Sequence, residues 1–539
     1  MHYFFYAIEN PRFPESFDRA GSCWIVLDMA KEKSMRIESA VKASFLVLAW
    51  SGLGLWASVQ LPIQKPDTTM SAMEAIAGKG LIHSHAYRFL EELTDNIGGR
   101  VTGTPQASQA IEWSLAKMKA IGLNNVHSEK WTLFRGWARV SASAELVSPV
   151  RKQLTIASWG WVGSTQKDGV EGDLTLVDRS RLEDEIKERS SSWAGKILLT
   201  KGEGAGTWTE MARFGRFVDA AAAAKATAII VGRVRSRTGD TATGMVDTKY
   251  HEIPVVSMAR EDQQLLERLL DRGDTPRLRI NVENRATTGP VDSANVVGEI
   301  VGTENPEQVV VVGAHLDSWD LAQGATDNGN GVAAVLGAAE AILETGFRPK
   351  RTIRFVLFTG EEQGLLGSFA YVKSHSRELA NHVAAVVVDW GDGPAVALDL
   401  GPRDDLLPEV TAFAQTISAF NQLRVRDRNE FGTDTGPFIL AGLPGISIYQ
   451  DSTDLEEVTH TTADTFDNVN RQVLTRNAVL MSLLSFWIAD RANRLASPWP
   501  PERSAQALLR KDRQRVQDLK AFGWWPFGEL DGELKSDNP

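Results

Sequence analysis

The feature that most constrains this chain is a set of short, uninterrupted apolar runs that alternate with helical patterns from residue 294 onward. Val296 to Val301, Val309 to Ala314, Arg354 to Phe358, Val383 to Val388 and Ile446 to Tyr449 read as strands. Gly331 to Leu343 reads as an Ala-rich helix, and 471–492 as a long terminal helix. A strand that is apolar at every position has both faces covered, whereas a half-exposed strand alternates. Strands alternating with helices imply an α/β fold with a mixed, mainly parallel sheet flanked by helices. Such sheets collect their ligands at the carboxyl ends of the strands.

Those ends carry the acidic and imidazole residues. His315 and Asp317 follow the Val309 run, Asp327 lies in the Gly-rich loop beyond it, and Glu361 and Glu362 follow Phe358. Asp389 closes the Val383 run, and His460 lies in the loop after Tyr449. Carboxylates crowded into one water-poor cleft repel each other by several kcal/mol, about 4 kcal/mol per pair near a surface, and their pKa values rise. Two divalent cations remove that conflict, since imidazole and carboxylate both ligate zinc. Five ligands with one bridge give three protein ligands to each of two metals. Asp327, on its short Gly-rich loop, is the expected bridge; His315 and Asp389 complete one site, Glu362 and His460 the other. Glu361 cannot point the same way as its neighbour, so it is free to take a proton from water and hand it to a leaving amine. Asp317 suits the carboxylate that orients His315. Asp464 either orients His460 in the same way or caps a turn.

The segments His315-Leu316-Asp317-Ser318-Trp319-Asp320, Gly324-Ala325-Thr326-Asp327-Asn328-Gly329 and Gly360-Glu361-Glu362-Gln363-Gly364, followed by His460, resemble the co-catalytic di-zinc aminopeptidase family. The first of them, with Gly432-Thr433-Asp434, looks like the plasma glutamate carboxypeptidase (carboxypeptidase Q) branch. The likeness includes the turn Gly99-Arg100-Val101-Thr102-Gly103. It implies a zinc exopeptidase fold with an inserted protease-associated-like domain, two Zn2+ per chain and hydrolysis of terminal bonds of short peptides or dipeptides. It also implies a cis peptide at Asp327-Asn328. The branch often carries a second acidic residue where this chain has Asn328, a departure expected to have only local consequences. Two other readings are a single-zinc glutaminyl-cyclase-like acyltransferase, which would not need both His315 and Asp389, and a non-catalytic receptor of the same fold, which would have lost ligands.

At 539 residues the chain exceeds one compact core. The expected organisation is a peptidase domain over 61–145 and 286–495, an insert over 146–285 and a C-terminal tail over 496–539. The insert is expected to limit access to short substrates or to mediate homodimer contacts. A formal charge of -11 argues against nucleic-acid binding. The single cysteine, Cys23, excludes an intramolecular disulfide and a Cys-based metal site. The polar residues before it argue against lipidation. Lys31, Lys33, Arg36 and Lys42 precede an apolar run from Ala43 to Val59, the pattern of a signal peptide or membrane anchor over 35–60. This implies a secreted or periplasmic enzyme, or one tethered to a membrane. Met35 makes a sensible start for such a signal, which leaves the status of the 1–34 leader open. Trp319 and Trp390 are read as pocket walls or core, the loop Phe431 to Pro437 as a substrate contact, and His375 and His382 as solvent-exposed.

Overall fold

The computed structural model describes residues 68–202, 208–232, 236–428, 432–451 and 455–523. The leader, the apolar run and the end of the tail therefore lie outside the described residues, as does Phe431.

An eight-stranded sheet organises the first part of the molecule. Its order across the sheet is Asn124–Leu133, Val291–Ile300, Arg351–Phe358, Asn305–His315, His382–Trp390, Gly445–Gln450, Ala395–Asp399 and Arg424–Arg426. The four central strands, from Arg351–Phe358 to Gly445–Gln450, are mutually parallel. Antiparallel pairs flank them on both sides. The reason for the continuous apolar runs is visible in the packing. Val310, Val312 and Ala314 face one layer, built on the helices Asn330–Glu344 and Arg471–Asp490, while Val309 and Val311 face the opposite layer with Phe438 and Tyr371. Successive side chains of a strand point to opposite faces, and here both faces are interior. The helix Arg471–Asp490 is long and apolar enough to cross a membrane, but it lies mostly buried against Asn330–Glu344 and the sheet.

A second eight-stranded sheet is formed by residues 137–286. Its order is Lys152–Leu154, Trp137–Ser148, Arg277–Ala286, Val170–Asp178, Ile197–Lys201, Ala228–Val231, Val255–Met258 and Ile156–Ser158. One half is antiparallel, led by the long pairing of Trp137–Ser148 with Arg277–Ala286. The other half is parallel, with crossover helices Leu182–Arg189 and Trp208–Ala223. Each face has its own apolar cluster. Between the sheets lies an aromatic cluster of Trp131, Trp137, Trp161 and Trp319. Trp137 and Trp161 stack with ring centroids 5.7 Å apart, and Trp161 meets Trp319 edge-on at 6.3 Å.

His382 is buried, only 1% exposed, contrary to the expectation from its loop-like surroundings. It begins a central strand, and its Nε2 lies 3.0 Å from the Tyr371 hydroxyl. His375 pairs with Glu129 at 2.9 Å and is largely covered.

Candidate metal centre

The parallel strands bring distant residues to one rim. His315 is the last residue of its strand and Asp389 the penultimate residue of the neighbouring one. Glu361 and Glu362 lie in the turn that leaves Arg351–Phe358, and His460 lies in the loop beyond Gly445–Gln450. Asp327 sits in a distorted turn just before the helix Asn330–Glu344, and its peptide bond to Asn328 is cis.

These side chains form two groups that share Asp327. The Nε2 of His315 lies 2.9 Å from Asp389 Oδ1 and 3.1 Å from Asp327 Oδ1. The Nε2 of His460 lies 2.9 Å from Glu362 Oε2 and 3.0 Å from Asp327 Oδ2. Each oxygen of Asp327 therefore serves a different imidazole, and each group has three potential donors close enough for one cation. The His315 side chain is 1% exposed and that of His460 35%, so the centre opens on the His460 side.

The donor set fits divalent zinc: two imidazoles and three carboxylates, with Glu362 Oε1 buried and lacking a hydrogen-bond partner among the described residues. The nearby cation Arg100 does not fill this role. Its guanidinium is fully buried and donates to the main-chain carbonyls of Leu316, Gly98, Gln323 and Gly324. It thereby knits together the stretch between His315 and Asp327. Burial lowers its pKa to about 10, against the opposing pull of Asp464 and Asp317. Gly324 has a φ of +60°, and a Cβ there would meet the Ser318 side chain.

The electrostatics show how much positive charge the site calls for. Burial opposes the charged form of His460, yet Glu362 and Asp327 outweigh it and raise its pKa to about 10. His315 is likewise pushed well above its usual value despite burial, chiefly by Asp389. Burial also raises Glu362, to about 7. Glu361 is pushed well upward by burial and then by Asp389, with Glu362 and Asp434 adding to the effect.

The surrounding residues depart in part from the sequence reading. Nδ1 of His315 is held by the main-chain oxygen of Asp317 at 3.0 Å, whereas the Asp317 carboxylate is 3.6 Å away. That carboxylate instead accepts from Thr102 Oγ1 at 3.0 Å and from the Glu361 amide at 3.3 Å. Of the two roles open to Asp464, the structure shows a cap, though not of its own turn. Its carboxylate accepts from the amides of Thr326 at 2.6 Å and Asp327 at 3.3 Å. Asn328 is more than a local change, because its amide donates to Asp389 Oδ1 at 3.3 Å, where a carboxylate would need a proton to do so. Trp319 is both core and wall, lining the cleft beside Asp327 and Glu362 with its ring edge-on to His460 at 6.1 Å. The side chain of Trp390 is outside the described set.

The sequence reading passed over Asp434 as a site residue. It is fully buried, and burial with the charges of Asp389 and Asp317 pushes it up to about 7, against the pull of His315 and Ser368. Only the quoted Gly432-Thr433-Asp434 segment pointed toward it.

Comparison with known proteins now decides the family. Residues 295–485 match the model of peptidase family M28. The chain is 30% identical over 422 residues to carboxypeptidase Q of Xenopus laevis, covering 77% of this chain and 88% of that protein. The chain belongs to peptidase family M28. This M28 chain is also 28% identical to carboxypeptidase Q of Homo sapiens over 426 residues, covering 77% of it and 87% of the relative. Among solved structures, a peptidase M28 precursor from Shewanella amazonensis superposes with a TM-score of 0.73 at 29% identity, covering 80% of this chain and 99% of the other. A zinc aminopeptidase of Bacillus subtilis shares the fold, with a TM-score of 0.60 at 21% identity, covering 77% and 97%. The M28 chain is a metallo-exopeptidase. The cyclase and receptor alternatives are not favoured.

Proposed function

We propose that this exopeptidase works with two zinc ions on short peptides, His315, Asp327 and Asp389 holding one ion and Asp327, Glu362 and His460 the other. The observation that carries this reading is the division of Asp327, one oxygen beside each imidazole, at 3.1 and 3.0 Å. Bound zinc supplies a more acidic water and polarises the scissile carbonyl. Glu361 takes the proton from the attacking water and returns it to the leaving amine. Burial and the neighbouring Asp389 push its pKa upward, the direction that suits a group that must both accept and release a proton. Asp317 holds the Glu361 main chain in place, and Asp464 holds that of Asp327. Asp434, buried near Glu361, adds to the upward push on its pKa. The two opened ends of the peptide leave through the face at His460, the most exposed of the ligands.

The second sheet is proposed to be the protease-associated-like insert, and the apolar run Ala43 to Val59 an export signal or tether. The test of the mechanism is Glu361→Gln. Turnover should fall by about 10²–10⁴-fold or more while zinc content stays at the wild-type level. Activity within a few-fold of wild type would remove Glu361 from the reaction.

A further inference from the structure

The loop carrying His460 has little structure of its own, yet it must present an imidazole in one orientation. After Gln450 it holds a single helical turn, Leu455–Val458, and His460 itself adopts a φ of +59°. That left-handed conformation is uncommon for a residue with a side chain and persists when neighbours over-determine it. The neighbours come from the second sheet. The amide of Thr243 donates to the His460 carbonyl at 2.8 Å, and the amide of Thr462 donates to the Thr241 carbonyl at 3.1 Å. Ala242 and Thr461 form an isolated antiparallel bridge. Thr462 Oγ1 donates to Asp240 Oδ1 at 2.7 Å and accepts from the Thr241 amide at 3.3 Å. The main chain on both sides of His460 is thus paired with residues 240–243.

One side chain ties this contact to the other half of the metal centre. Arg139, on the strand Trp137–Ser148 of the second sheet, grips Asp320 through Nη2 at 2.8 Å and Nε at 3.1 Å. Asp320 lies between His315 and Asp327. The same guanidinium donates to Thr243 Oγ1 at 3.1 Å and to the main-chain oxygen of Ser158. Arg139 therefore touches the stretch that joins two ligands and the residue whose amide holds the third. Gly160 adds a packing contact: a Cβ there would lie 2.5 Å from the Trp319 ring, whose edge meets His460.

We propose that the second sheet is a working part of the metal centre, with Arg139, Thr243 and Asp240 as positioning residues that set His460 for its zinc. Metal affinity depends on how firmly supporting groups fix the ligands, and losing such a group typically costs about 10–100-fold. A sheet that served only as a lid, or only as a dimer surface, would not need these bonds. The inference rests on the reading of His460 as a ligand, and the experiment separates the two.

The experiment is a zinc titration of the metal-free full chain, in competition with a chelating dye, for Arg139→Ala, Thr462→Val, His460→Ala and a control, Arg279→Ala. Arg279 lies on the same sheet but pairs only with exposed or half-exposed carboxylates away from the centre, Glu171 and Glu145. Circular dichroism checks that each variant is folded. Thr462→Val removes the Oγ1 bonds to Asp240 and to the Thr241 amide but keeps the bonds between main-chain groups, so it tests the idea if Arg139→Ala fails to fold. The expected result is loss of one zinc in His460→Ala and at least tenfold weaker binding of that same zinc in Arg139→Ala and Thr462→Val. Thr462→Val should hold the other zinc within about twofold of wild type, and Arg279→Ala should behave as wild type. If His460→Ala loses one zinc while both positioning variants bind two with wild-type affinity, the positioning role is overturned. If His460→Ala still binds two zinc ions, the ligand assignment fails and takes this inference with it.

Discussion

At the scale of single residues, the centre is a problem in charge. The five proposed ligands include three carboxylates, Glu361 and Asp434 add two more, and the buried guanidinium of Arg100 spends its donors on main-chain carbonyls. Without metal ions, the imidazolium forms of His315 and His460 add positive charge to that of Arg100, which acts on Asp327 and Glu362 from a distance. Both are raised, His460 to about 10, which favours bound protons on these rings in the metal-free protein. Zinc needs the neutral imidazole, so binding must expel them. Calorimetry at pH 7 in buffers of different ionisation enthalpy should therefore show net proton release on zinc uptake, and affinity that falls as pH is lowered. Binding without proton release would contradict the charge account. The proposed ligands and Glu361 could be picked out in the sequence because they lie at the ends of apolar strands or in the loops that leave them. Asp434 and Arg100 were not, since neither follows such a strand and their importance lies in what surrounds them. Asp317 was placed correctly beside His315, but which of its oxygens faces the ring depends on backbone geometry that spacing does not encode.

At the scale of elements, the apolar runs located the central strands well, because a strand interior on both faces leaves its mark at every position. The outer strands Asn124–Leu133 and Trp137–Ser148 were missed for the opposite reason. Their burial is patchy, and polar residues such as Ser128, Glu129 and Arg139 interrupt them. The expectation for His375 and His382 failed for another reason: the polar loop between them is largely exposed, but His382 begins a central strand beside Tyr371 and His375 pairs with Glu129. Packing across elements yields a prediction at Gly160. Its Cβ position falls within 2.6 Å of two atoms of Trp319, so Gly160→Ala must displace that ring, whose edge meets His460. Overpacking of this kind typically costs about 1–3 kcal/mol. Gly160→Ala should show a lower melting temperature together with weaker zinc retention on mild chelation. An unchanged zinc content with only a lower melting temperature would place the strain away from the ligands.

For the molecule as a whole, two sheets with separate cores meet at an aromatic seam and at the metal rim, so stability and metal binding are linked. Zinc that binds only the folded chain should raise the melting temperature, the rise growing with the logarithm of its concentration. Acid has an additional route into this fold. Burial lowers the pKa of His382 to about 4, below the unfolded value of about 6.5. Its contribution to stability is complete above about pH 6.5 and is lost as the pH falls through 4, a total of roughly 3 kcal/mol. Melting curves of metal-free protein between pH 7 and 4 should drop more steeply for wild type than for His382→Gln; parallel slopes would show that this histidine is not the acid-sensitive group. The most direct measurement of the central claim is anomalous X-ray scattering at the zinc edge from crystals of the zinc-loaded chain. The account predicts two peaks about 3.5–4 Å apart on either side of the Asp327 carboxylate, one next to His315 and the other next to His460. A single peak, or a second one away from His460, would contradict it.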